Sequence, residues 1–173
     1  MDRGAMPSEF SRMVDLRQVF AAPVHLVADD DERRRLAGRF AISAIDLLEA
    51  TVSLVADGPV VTANGRLKAR IVQACAVSGE DFPVAIDEAL ALRFVPPTDH
   101  AIEEEIEFTD AWDEIEYEGT AFDLGEAVAQ SLALAIDPFA EGPRADTFRR
   151  KAGLSDPGAS GPFAALAALR KDG

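Results

Sequence analysis

Arg66, Lys68 and Arg70 stand at alternate positions in a stretch of apolar and β-branched residues running from Val60 to Ala74. In an extended strand every second side chain projects from the same face, so this spacing puts three cations in one row. Such a row can grip phosphates, which makes the three residues RNA-binding candidates. The competing reading, which carries the greater weight, is a solvent face or cross-strand pairing with carboxylates such as Asp87.

Other chemistry is thinly supplied. A nucleophile needs a base within hydrogen-bond reach and a group that orients the base. The only histidines, His25 and His100, have no companions in a motif, and a structural or solvated role is expected for each. Cys75, the single cysteine, lies between Ala74 and Ala76 with no adjacent cation to depress its pKa, so an inert, packed thiol is expected. A lone cysteine also excludes an intramolecular disulfide and a cysteine-based zinc site. No glycine-rich phosphate loop is present, and the acidic stretch lacks the alternating pattern with a central glycine that an EF-hand loop requires. No catalytic residue, metal or cofactor is therefore expected.

Between Asp99 and Glu126 lie twelve acids and no Lys or Arg. Glu103, Glu104, Glu105, Glu107, Glu114, Glu116 and Glu118 form a candidate surface for a basic protein partner. The formal charge of −14 and pI near 4.4 favour such a partner and oppose generic binding to a phosphate backbone. An enzyme acting on RNA would need paired carboxylates around a metal, and only this acidic run would supply them.

These residues need a scaffold. At 173 residues with 48% hydrophobic content and mean hydropathy near zero, one globular domain is expected. No apolar run is long enough to cross a bilayer, and Met1 to Pro7 has no export signal, which points to the cytoplasm. Residues 7–27 predict one or two short strands, and acids followed by Arg33-Arg34-Arg35 predict a helix from about Asp30 to Gly38. Glu49 to Val55 alternates as a strand, Asp57-Gly58-Pro59 turns, and Val60 to Ala74 returns, with Asn64-Gly65 read as a bulge. Phe82, Val84, Ile86, Leu90, Leu92 and Phe94 share one parity of a third strand, broken only by Glu88. Short connections predict an antiparallel sheet. A short strand is expected over Ile115 to Gly119. Asp123 is set to cap a helix in which Leu124, Val128, Leu132 and Ala135 form a stripe.

The expected fold is α+β: an antiparallel β-sheet covered by one or two helices over residues 1–139, then a flexible basic tail over 140–173. That tail ends in a short helix from Pro162, in which Phe163 and Leu166 are further partner-binding candidates.

The string from Gly65 to Glu80, GRLKARIVQACAVSGE, resembles the central signature of the YceD family, the large ribosomal RNA subunit accumulation proteins. Glu9-Phe10-Ser11-Arg12, the Phe82 to Phe94 strand, Asp123-Leu124-Gly125-Glu126-Ala127-Val128 and Pro162-Phe163-Ala164-Ala165-Leu166 are similar to that family in the same order. The resemblance implies a non-enzymatic role in the accumulation, processing or stability of large-subunit (23S) rRNA during ribosome biogenesis. It implies rRNA or its precursor as a direct or indirect partner, with basic ribosomal or assembly proteins as the alternative. Many relatives carry Cys-x-x-Cys at the central signature, whereas this chain has Cys75 and Ser78.

Overall fold

The computed structural model describes residues 8–19, 22–97 and 112–153. Its elements in chain order are β1 (Met13–Asp15), a single 3-10 turn (Leu16–Gln18), β2 (Val24–Val27), α1 (Asp30–Phe40), β3 (Ala44–Asp57), β4 (Val60–Ala74), β5 (Asp81–Val95), β6 (Asp113–Glu116), β7 (Ala121–Asp123), α2 (Leu124–Ala135) and α3 (Ala145–Lys151). The fold is α+β with a five-stranded sheet, order β2-β3-β4-β5-β6, and a two-stranded sheet of β1 and β7. Among the described residues no helix is long and apolar enough to cross a membrane.

The sheet is mixed, not antiparallel throughout. β3 pairs antiparallel with β2, which reaches it through α1, and with β4, which follows a tight turn, but β6 lies parallel to β5. The chain between them, residues 96–112, is long enough for the crossover that a parallel neighbour needs. A second correction concerns Asn64-Gly65, which forms no bulge: Asn64 faces Ser53 and Gly65 faces Val52 in unbroken register. The register shift falls between Ile45 and Leu47 instead. Gly65 is there for closeness, since a Cβ at that position would lie 2.1 Å from the Thr51 carbonyl oxygen.

The chain divides into two compact units, Met1–Val72 with Pro83–Ile136 and Gln73–Phe82 with Asp137–Gly173. In the first, buried side chains of β2, β3, β4, β5, β7, α1 and α2 belong to one hydrophobic core. Leu48, Leu67, Ile71, Leu92, Phe94, Leu124 and Leu132 are almost wholly removed from solvent. Phe94 and Phe122 stack with ring centroids 4.2 Å apart. The helix α1 packs on β3, and it starts with a capping box in which Asp29 and Glu32 exchange side-chain bonds with each other's backbone amides. It runs two residues past the expected Gly38 and stops at Ala41, which adopts a left-handed conformation (φ 54°).

In the second unit the turn after β4 is tied to the segment beyond α2. Gln73 Nε2 donates to the Asp137 carbonyl at 3.0 Å, the Ala76 amide donates to the Ala140 carbonyl at 3.0 Å, and Arg144 pairs with Glu80 at 3.0 Å. α3 falls within the region expected as a tail, and its Ala145 is buried. The expected terminal helix with Phe163 and Leu166 lies outside the described residues.

Candidate nucleic-acid interface

β4 alternates as its sequence requires: Leu67, Ala69 and Ile71 are buried, while Arg66, Lys68 and Arg70 are exposed on the opposite face. The three cations differ in their surroundings. Arg66 Nε donates to Asp87 Oδ1 on β5 at 2.5 Å, and this bond raises the arginine pKa and lowers that of the aspartate. Lys68 lies in register with Glu49 on β3 and adds its field to Asp87. Arg70 is in register with Leu47 and forms no ion pair among the described residues. The cross-strand pairing that the sequence suggested is thus present at Arg66, whereas Lys68 and Arg70 form no ion pair among the described residues. His25 and Thr51, joined at 3.0 Å, lie on the same side of the sheet, because Thr51 is the register partner of Arg66 and His25 that of Thr51.

The acidic candidates divide as well. Glu103, Glu104, Glu105 and Glu107 lie outside the described residues. Glu114 of β6 pairs with Arg93 at 3.2 Å, so it is partly neutralised. Glu116 and Glu118 are exposed on either side of Tyr117, whose buried ring anchors the segment and whose hydroxyl donates to the Pro59 carbonyl.

Sequence reasoning missed the environment of Cys75. The thiol is only 3% exposed, and its sulfur accepts the Val77 and Ser78 amides, each at 3.4 Å. The Ser78 hydroxyl, with the Ser78 and Gly142 amides, pulls its pKa down to about 7. No cation is involved, so the absence of a neighbouring Lys or Arg was no guide. The Cys75-x-x-Ser78 spacing was the available signal: the tight turn that brings a donor three residues on against the sulfur.

Two further segments of the resemblance, Glu9 to Arg12 and Asp123 to Val128, hold one another. Asp123 caps α2 by accepting the Glu126 amide at 3.1 Å, and the same oxygen accepts the Arg12 amide at 2.8 Å. Gly125 permits this approach, because a Cβ there would sit 2.5 Å from the Phe10 carbonyl oxygen. Glu126 accepts from Ser8 at 2.6 Å and from Arg39 of α1 at 2.7 and 3.0 Å, and these bonds, Arg39 foremost, bring its pKa down to about 2. Arg12 in turn grips both carboxylate oxygens of Glu32 at 2.6 and 2.9 Å and the Val27 carbonyl at 3.1 Å. Glu9-Phe10-Ser11-Arg12 is therefore a strap across the start of α2, a structural task.

No curated protein and no solved structure matches the chain significantly. A family model described as the large ribosomal RNA subunit accumulation protein YceD matches residues 63–170, more than half of the sequence. That span takes in the cationic row of β4, the Cys75 turn, β5 and the capped α2, and on it the chain belongs to the YceD family.

Proposed function

We propose that this protein is a non-enzymatic cytoplasmic factor that supports accumulation of large-subunit (23S) rRNA by holding RNA phosphates on the outward face of β4, with α1 and α2 closing the inward face of the sheet. The observation that carries this reading is the pair Lys68 and Arg70. They are adjacent in one row, exposed, and outside any ion pair among the described residues, in a family whose description concerns large ribosomal RNA. Arg66 joins them when a phosphate displaces Asp87. The acidic remainder of the protein opposes binding elsewhere, so contact is confined to these cations.

The test is depletion in the native host, with the ratio of mature large-subunit to small-subunit rRNA measured after rescue. The intact gene restores the ratio, and Lys68→Glu with Arg70→Glu does not, although the variant accumulates normally. Full rescue by the doubly reversed variant would remove β4 from the function.

A further inference from the structure

Glu88 is the one residue that breaks the apolar parity of β5, and its surroundings give it a use. It lies in the inward row with Ile86, Leu90 and Leu92, yet it is exposed. Beside it opens a groove of about 380 Å³, lined by residues 88–92 of β5, by Asp113 at the start of β6 and by the last turns of α2. Leu90 and Leu92 form a buried apolar floor. The α2 wall carries Leu134, 82% exposed on a helix that otherwise buries its large apolar side chains. A single exposed leucine is ordinary on a surface, but this one borders a concavity with an apolar floor, where an incoming side chain would have something to pack against.

The backbone at this groove is also open. β6 pairs only with Leu92–Val95, so among the described residues no strand pairs with the edge of β5 from Pro83 to Ala91. Such an edge presents unpaired N–H and C=O groups to an extended chain. Glu88 and Asp113, the charged groups of the lining, are both acids and form no ion pair among the described residues. Arg66 feels the field of Glu88 but is committed to Asp87 on the other face of the sheet.

We propose that this groove binds an extended basic segment of a partner protein. The segment adds to the edge of β5 as a strand, seats an apolar side chain against Leu134, and places Lys or Arg side chains on Glu88 and Asp113. A second copy of this chain is a poor occupant, because pairing two β5 edges sets these acids against each other in molecules of charge −14. A nucleic acid is disfavoured by the same charges. The surface is independent of the β4 reading, since it uses the opposite face of the sheet.

The test is fluorescence anisotropy of the full chain with a short labelled peptide alternating Lys and Val, at low salt. Saturable binding is expected, weakened about tenfold by Glu88→Lys with Asp113→Lys and by Leu134→Asp. A peptide of the same sequence N-methylated at every second residue should bind as weakly, because it cannot complete the strand. All three substituted side chains are exposed, and circular dichroism checks that each variant is folded. Equal binding by wild type and variants, or by the plain and N-methylated peptides, would overturn the proposal. A change of oligomeric state in Leu134→Asp would overturn it in favour of a second copy. Tighter peptide binding by Arg170→Glu with Lys171→Glu would overturn it in favour of the chain's own terminus.

Discussion

Replacing Glu126 with Gln should cost stability at neutral pH and cost almost nothing in strong acid. Glu126 joins the strap at Ser8, α1 at Arg39 and its own helix at Gln130, and these bonds favour the carboxylate over the acid. Its pKa falls from an ordinary 4.5 to about 2 in the folded protein. A pKa depressed on folding stabilises the native state above the unfolded value, and that contribution is lost as pH drops from 4.5 through 2. At about 1.4 kcal/mol per pH unit the ceiling is about 3.5 kcal/mol. The side chain is 23% exposed, so solvent screening brings the expected loss to about 1–2 kcal/mol. Urea unfolding of wild type and Glu126→Gln from pH 7 to 2.5 gives the difference directly and cancels the protein's other carboxylates. The gap should hold from pH 7 to about 5 and have mostly closed by pH 2.5. A gap as wide at pH 3 as at pH 7 would refute the reasoning, because it would show that lost packing, not lost charge, sets the cost.

Gly125→Ala should destabilise by about 2–3 kcal/mol in thermal melts by pushing the strap off α2, whereas Gly38→Ala in α1, with open space at its Cβ, should stabilise by about 0.5–1 kcal/mol. Arg12→Met leaves Glu32, 8% exposed, without its cation and should lower stability by about 2–3 kcal/mol in urea, with partial recovery in Arg12→Met with Glu32→Gln. Ser78→Ala should move the midpoint of Cys75 alkylation upward from about 7 toward about 8.5, the range of an ordinary thiol; an unchanged midpoint would leave the backbone amides alone responsible. Asp87→Asn frees Arg66 and should tighten RNA binding, steepening the slope of log affinity against log salt by about 0.7–0.9, the signature of one more phosphate contact.

The limits of β4, the start of α2 at Asp123 and the buried parity of β5 were legible from residue order alone. Alternation, turn residues and a capping aspartate act within a few residues of themselves, so local physics decides them. The same holds for the placement of Arg66, Lys68 and Arg70 on one exposed row. Their surroundings were decided by strand neighbours far away in sequence: Asp87 pairs with Arg66, while Glu49 and Leu47 are the register partners of Lys68 and Arg70. Gly65 read as a bulge because a glycine between strands relaxes local constraints; only the approach of β3 reveals that it is there to make room. The parallel β6 and the groove at Glu88 escaped for the same reason. β6 and the groove are made by segments that the chain brings together from a distance, and neither alternation nor helical spacing carries information across that gap; at Cys75 only the Gly142 amide comes from afar, while Val77 and Ser78 belong to the turn itself.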